Sequence, residues 1–229
     1  MNSLNLSEIK AVAFDIDGTL YRTWKFNIRM PFHFFIHCFF FLKYGLVRNE
    51  LRKKEISGNI QQIQAEMMAK RLKCSPEKAI SELDRIVYSG LEKKFETIKP
   101  CKGVVEFIKK LKDKGYKIGI LSDFPPEQKG EIWGIKKICD VVLGAEDAGA
   151  LKPSVIPFNK LAEKLGIPTE NILYVGNSHK YDVMGAKKAG MKAAWIQTPG
   201  FFKKRSSKIA DISFFHYNQL EKIFFGDKE

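Results

Sequence analysis

The chain contains few cysteines, and no two of them are close in sequence. The four residues Cys38, Cys74, Cys101 and Cys139 are spread over 229 positions without a Cys-x-x-Cys spacing. This distribution argues against a disulfide framework and against a cysteine zinc site, and it predicts reduced thiols in a cytoplasmic protein. Because the N-terminus shows no basic start followed by an apolar run, we also expect no signal peptide.

Apolar runs long enough to cross a bilayer are also missing. The most apolar stretch, residues 32–47 (FHFFIHCFFFLKYGLV), is shorter than the roughly 20 residues that a spanning helix needs. His33, His37 and Lys43 interrupt it. We therefore expect a helix buried against other parts of the protein, with membrane contact through this aromatic segment as the less favoured alternative.

Acidic residues are outnumbered, with 26 Asp and Glu against 39 Lys and Arg, which gives a net charge of +13. A positive surface favours anionic partners such as phosphorylated metabolites, nucleic acid or an acidic membrane. No base-reading or stacking module is recognisable, so we expect no nucleic-acid partner. The hydrophobic fraction of 45% and the absence of repeats exclude a disordered chain and a solenoid.

Short apolar runs alternate with helical patterns along much of the chain. Strands are predicted at residues 10–14, 117–121, 141–143, 172–175 and 192–196, and helices at residues 104–114, 156–165 and 181–189. This alternation predicts an α/β fold, a three-layer Rossmann-like core with a mostly parallel sheet.

Residues 21–98 break this alternation. Ile56, Ile60, Ile63 and Met67 follow helical spacing, and Ser75 precedes a proline as a helix N-cap does. We therefore expect an all-helical domain at residues 21–98, inserted into a core formed by residues 1–20 and 99–229.

Side chains able to carry out chemistry follow four of the predicted strands. These residues are Asp15, Asp17, Ser122, Lys152, Asn177 and Asp182. Ligands of open parallel sheets bind beyond the carboxyl ends of the strands, so these segments should converge on one crevice. Carboxylates able to hold a hard metal, beside an amine and a hydroxyl, are typical of a phosphate site.

The ordered set of motifs resembles the haloacid dehalogenase superfamily, whose members are mostly phosphatases. The motifs are Asp15-Ile-Asp17-Gly-Thr-Leu20, Leu121-Ser122-Asp123, Lys152-Pro153, and Val175-Gly-Asn177-Ser-His-Lys-Tyr-Asp182. The insertion after the first motif resembles the helical cap of many members.

The resemblance implies a role for each of these residues. Asp15 would be the nucleophile that forms an aspartyl-phosphate, and Asp17 the general acid and base. Ser122 and Lys152 would hold the substrate's phosphoryl oxygens, and Asp123, next to Ser122, would be a further substrate-binding residue. Mg²⁺ would be held by Asp15, Asp17, Asn177 and Asp182, with Asp17 contributing its backbone carbonyl. Asn177 stands where an acid is common in the family, which predicts weaker metal binding.

The function that follows is a Mg²⁺-dependent phosphatase acting on a small phosphorylated metabolite. Asp17 favours this reaction over dehalogenation, because a halide needs no proton to leave. Two alternatives stay open: a phosphomutase similar to β-phosphoglucomutase, and a non-catalytic binding protein on the same scaffold.

Overall fold

A six-stranded sheet forms the centre of the computed structural model, which describes residues 5–54, 56–95, 97–198 and 207–226. Its strands are β1 (Ala11–Phe14), β2 (Lys117–Ser122), β3 (Val141–Gly144), β4 (Ile172–Gly176), β5 (Lys192–Ile196) and β6 (Ile212–Phe214). All neighbouring strands pair in parallel, in the order β3-β2-β1-β4-β5-β6. The strand order changes direction between β1 and β4, which is where a ligand crevice forms in such sheets.

Ten α-helices lie within the described ranges. They are α1 (Thr23–Asn27), α2 (Pro31–Ile36), α3 (Cys38–Lys53), α4 (Ile60–Leu72), α5 (Pro76–Leu83), α6 (Ser89–Phe95), α7 (Val104–Asp113), α8 (Val155–Leu165), α9 (Met184–Lys188) and α10 (Tyr217–Phe225). Helices α1 to α6 lie in the insertion that follows β1, and α7 precedes β2; the remaining helices lie between later strands or at the C-terminal end of the described residues.

The alternation of side chains along β1 explains the three layers. Val12 and Phe14 join one buried cluster, which includes Phe107 of α7. Ala11 and Ala13 point to the opposite face and join a second cluster, which includes Leu161 of α8. Because both faces of the strand are apolar, helices cover both sides of the sheet. The predicted three-layer α/β architecture is confirmed.

The described part of the long insertion is helical apart from turns and two isolated β-bridges, between Asp17 and Tyr21 and between Ser57 and Ala150. Its helices have a buried cluster of their own, in which Val47, Met68 and Leu83 are packed together. Other insertion residues, such as Phe95, pack instead into the cluster beneath the sheet.

Two elements of the core differ from the sequence-based expectations. Strand β6 was not predicted, because its three residues at the sheet edge are too few to show an alternation. The predicted helix at residues 181–189 begins instead as a π-helical turn, His179–Val183, and continues as α9.

Candidate active site

The loop after β1 brings the first two candidate residues to the crevice. Asp15 directly follows β1 and is almost fully buried. Gly18 has a φ of 89°, a left-handed conformation that favours glycine, and a side chain there would clash with the amide of Asn177. The loop can therefore approach the end of β4 closely.

Lys152 lies at the centre of the site and joins two of the predicted carboxylates. Its Nζ is 2.7 Å from Asp15 Oδ1 and 2.7 Å from Asp182 Oδ1. Tyr174 Oη, 3.2 Å away, is a further hydrogen-bonding partner, and the Leu121 carbonyl oxygen lies at 3.4 Å. The ends of β1, β2 and β4 are thus connected through one buried ammonium group.

The pKa values of Asp15 and Lys152 are both raised, but for different reasons. Burial raises the pKa of Asp15 to about 7; Lys152 acts against this, and the Asp182 and Asp17 carboxylates add to it. Burial also acts against the charged form of Lys152, but Asp15 and Asp182 outweigh it and hold the pKa of the amine well above its usual value. Lys152 therefore stays charged while Asp15 can lose its proton near neutral pH.

Thr19 and Ser178 fix the outer oxygens of the two carboxylates. The Thr19 hydroxyl donates to Asp15 Oδ2 at 2.8 Å and lies 3.4 Å from Asn177 Oδ1. The Ser178 backbone N–H donates to Asp182 Oδ2 at 2.8 Å. Asn177 is thus connected to Asp15 through Thr19.

Asp17 has a separate set of partners. Tyr21 donates its hydroxyl hydrogen to Asp17 Oδ1, and Lys129 Nζ lies 2.9 Å from the same oxygen. The Lys129 ammonium also lies 3.4 Å from the centre of the Phe95 ring. Burial lowers the pKa of Lys129, although Asp17 acts in the other direction. A cavity of about 250 Å³ adjoins this group and is lined by Tyr21, Phe95, Lys129 and Trp133, among others.

Ser122 and Asp123 lie at the end of β2, and both side chains have partners within the protein. Ser122 is fully buried, and its hydroxyl oxygen accepts the Phe124 N–H at 3.2 Å. Asp123 accepts hydrogen bonds from Arg52 at 2.7 Å and from the Lys152 backbone N–H at 3.1 Å. Asp123 therefore holds the Lys152 loop and an arginine of the insertion.

Several residues of the site lie outside the four motifs. Arg52 lies in the insertion, where it also donates to the Lys152 carbonyl at 3.1 Å and stacks over Tyr181 at 4.6 Å. Lys129 comes from a segment without a motif of its own. Tyr21 directly follows the first motif and Tyr174 directly precedes the fourth, so their positions next to motifs are the signal that could have found them.

The donor set suits a hard cation. Among the described residues there is no group of three or more His, Cys, Asp or Glu side chains that could hold a metal. The candidate set instead combines two carboxylates, Asp15 and Asp182, with an amide oxygen and a backbone carbonyl. The two carboxylates share one ammonium, so the ionised pair keeps an uncompensated negative charge. Oxygen donors with residual negative charge fit Mg²⁺.

The family model of the haloacid dehalogenase-like hydrolases matches residues 12–196. That span contains all four motifs and most of the chain, and the chain belongs to this family.

Individual relatives agree with this assignment. Pyrophosphatase PpaX of Halalkalibacterium halodurans is 30% identical over 194 residues, which cover 82% of this chain and 84% of that protein. The glyceraldehyde 3-phosphate phosphatase of Methanopyrus kandleri is 27% identical over 205 residues, with coverages of 82% and 84%. A phosphatase structure from Thermococcus onnurineus has the same fold, with a TM-score of 0.62 at 24% identity over 96% of this chain and 100% of that chain. We conclude that the chain is a phosphatase-type hydrolase.

Proposed function

We propose that the protein hydrolyses a small phosphorylated metabolite in a Mg²⁺-dependent reaction, through an aspartyl-phosphate on Asp15. The observation that carries this proposal is the contact of one buried ammonium, Lys152, with both Asp15 and Asp182, while Asp17 is held apart by Tyr21 and Lys129. Each carboxylate thus lies beside a cation of its own: Asp15 shares Lys152 with Asp182, and Asp17 contacts Lys129.

In the first step a carboxylate oxygen of Asp15 forms a bond to phosphorus, and the bond from phosphorus to the leaving oxygen breaks. Lys152 offsets the negative charge that the phosphoryl group brings to Asp15. Ser122, at the end of the neighbouring strand β2, is the proposed hydroxyl donor to the phosphoryl oxygens. Thr19 keeps the Asp15 carboxylate in a fixed orientation through its 2.8 Å hydrogen bond.

Asp17 is the proposed proton carrier. It gives a proton to the leaving alcohol, and in the second step it takes one from the water that cleaves the aspartyl-phosphate, so that inorganic phosphate is released and Asp15 is restored. Tyr21 and Lys129 hold the Asp17 carboxylate in place. The 250 Å³ cavity beside them is the proposed location of the leaving group, and its volume suits a small molecule.

The proposed ligands of Mg²⁺ are the Asp15 and Asp182 carboxylates, the Asp17 backbone carbonyl and Asn177. When bound, the ion supplies further charge compensation for the phosphoryl group. The amide of Asn177 adds an oxygen ligand without adding charge, which supports the expectation of weak metal binding.

We further propose that residues 21–98 form a cap that closes over the crevice and supplies contacts to the substrate. Arg48 and Arg52 of α3 support this, because they pair with Glu146 and Asp123 of the core. The relatives named for pyrophosphate and for glyceraldehyde 3-phosphate support a small phosphorylated substrate. A cytoplasmic location is part of the proposal, supported by four free cysteines.

The test is the release of inorganic phosphate from p-nitrophenyl phosphate, and then from a panel of phosphorylated metabolites, with Mg²⁺ and with EDTA. We expect Mg²⁺-dependent release that is lost in Asp15→Asn, whose side chain has nearly the same shape. Asp113→Asn, an exposed position, is the matched control. Full turnover by Asp15→Asn would overturn the proposal, and formation of a phosphate isomer without release would indicate a phosphomutase.

A further inference from the structure

Large exposed apolar side chains are concentrated in one part of the insertion. Of the fifteen found among the described residues, nine lie between residues 24 and 46. They are Trp24, Ile28, Phe32, Phe34, Phe35, Ile36, Phe39, Leu42 and Leu46. The exposed fractions reach 79% for Phe35 and 77% for Phe39. The expectation that this segment is buried is therefore wrong for much of its surface.

Helix α3 has two apolar faces, and only one of them is covered. Phe40, Tyr44, Val47 and Leu51 repeat at helical spacing and are buried within the insertion. Phe39, Leu42 and Leu46 repeat at the same kind of spacing on the other side and are exposed. Helix packing within the protein accounts for the first face and leaves the second without a partner among the described residues.

Contacts on the inner side fix the orientation of α2. His33 Nε2 lies within hydrogen-bond distance, 2.9 Å, of the Ile86 carbonyl oxygen, and the Phe34 ring packs edge-on against Phe41 with 4.7 Å between centroids. These contacts leave Phe32, Phe35 and Ile36 outside. We use the name aromatic face for the exposed side chains of α2 and α3, which are Phe32, Phe35, Ile36, Phe39, Leu42 and Leu46.

The segment that contains the aromatic face carries basic residues and no acidic ones. No Asp or Glu occurs from residue 18 to residue 49, whereas five basic residues do: Arg22, Lys25, Arg29, Lys43 and Arg48. Arg48 is buried and paired with Glu146, so the other four supply the basic character of this surface. The acids that follow or pack nearby are themselves paired, since Glu50 contacts Lys54 and Arg71, and Glu82 contacts Arg85. A large apolar surface in a basic setting is typical of segments that lie in the interface of an anionic bilayer.

We propose that the aromatic face docks on an anionic lipid bilayer and inserts its phenylalanine and leucine side chains between the headgroups. The described residues contain no helix with the length and apolarity required to span a bilayer. In the proposed contact, α2 and α3 lie on the surface of the bilayer. A second copy of the chain fits less well, because the same face on both copies would bring two sets of basic residues together. Anionic lipid supplies the opposite charge.

The experiment is flotation of the full chain with vesicles of phosphatidylcholine alone and with vesicles that also contain phosphatidylglycerol. Phe35→Ser/Phe39→Ser removes two exposed rings, and Lys43→Glu reverses a charge beside them. Ile80→Ser/Ile223→Ser is the matched control, since it removes two exposed apolar side chains outside the face. Thermal unfolding of each variant checks that it is folded.

We expect the wild-type chain and the control variant to float with the phosphatidylglycerol vesicles and to bind about tenfold less to phosphatidylcholine alone. The double serine variant should lose binding to both, and Lys43→Glu should weaken binding to the anionic vesicles selectively. Absence of flotation by the wild-type chain would overturn the proposal. So would a wild-type dimer that becomes a monomer in the double serine variant while vesicle binding is unchanged, because the face would then join two copies.

Discussion

Lys152 is the residue that connects the candidate site, because it is the common partner of Asp15, which follows β1, and Asp182, in the π-helical turn after β4. The sequence predicted that the segments following the parallel strands converge on one crevice, and in the structure these three side chains are in contact. Lys129 and Arg52 could not be found this way, since their approach depends on how the insertion and the loop after β2 fold back. Motifs identify residues that follow strands, but they do not identify residues that reach the site from elsewhere.

The raised pKa of Asp15 predicts a stability that depends on pH. Its pKa is about 7 in the folded chain and roughly 3.9 in an unfolded one. Between these values the folded state binds more protons, so its stability falls as the pH rises through this window. Asp15→Asn removes this penalty, and its melting temperature in EDTA should exceed that of the wild type at pH 8. The difference should shrink toward pH 4. A difference that is constant with pH would contradict this.

Lys129 is expected to position Asp17. In Lys129→Met the carboxylate keeps Tyr21 and loses the ammonium at 2.9 Å, so kcat should fall about ten- to a hundredfold, less than for loss of the proton carrier itself. KM should change little. Steady-state kinetics on p-nitrophenyl phosphate measure both constants, with Lys137→Met, an exposed lysine, as the control. An unchanged kcat would show that Tyr21 alone is sufficient.

Asn177 is expected to limit metal affinity. Asn177→Asp adds a negative charge beside Thr19 and Asp15, and the Mg²⁺ concentration for half-maximal activity should fall by about tenfold, because ligand charge tunes affinity. A Mg²⁺ titration of turnover measures this. Asn171→Asp, outside the crevice, is the control. An unchanged Mg²⁺ requirement would mean that residue 177 does not contribute to metal binding.

At the scale of elements, α3 connects the insertion to the core through a buried ion pair. Arg48 contacts Glu146 in the loop after β3, and Tyr88 donates its hydroxyl hydrogen to the other oxygen of Glu146 at 2.9 Å. Gln64 of α4 accepts from the same Arg48 at 3.2 Å and donates to Tyr88 at 2.8 Å. The network joins three helical segments of the insertion to the loop after β3.

Arg48→Met should therefore destabilise the whole chain. It leaves the Glu146 carboxylate buried without its cation, at a cost of about 3–5 kcal/mol in the free energy of unfolding. Arg48→Met/Glu146→Gln should recover part of this loss, because the second change removes the buried charge. Urea denaturation of the single and double variants decides the matter. A double variant no more stable than Arg48→Met would contradict the account.

The elements of the core could be predicted because their signals are local. Strands β1 and β4 are apolar runs that are buried throughout, and β2, β3 and β5 are apolar over most of their length. Strand β6 is a short edge strand whose pairing with β5 depends on the rest of the sheet. In the insertion, the helical spacing of Ile60, Ile63 and Met67 predicted α4, whereas Ile56 of the same pattern lies before that helix. Helical spacing did not predict the bend at His37, where the backbone leaves helical geometry between α2 and α3.

At the scale of the whole molecule, composition indicated an anionic ligand without indicating where it binds. The net charge of +13 is compatible with a phosphorylated substrate and with an acidic surface, and the two proposals use different parts of the chain. The crevice holds Lys152 and Lys129 in buried positions, whereas the aromatic face is exposed. The sequence could not assign the basic residues to the crevice or to the surface, because whether a side chain is buried depends on how the helices pack.

In the proposed reaction Asp15 itself bonds to phosphorus. The most direct measurement is an acid quench during turnover of a ³²P-labelled phosphoester, followed by mapping of the labelled peptide. We predict label on Asp15, stable in acid and released by hydroxylamine as an acyl phosphate is, and absent from Asp15→Asn. Label on another side chain, or turnover by Asp15→Asn at the wild-type rate, would contradict the account.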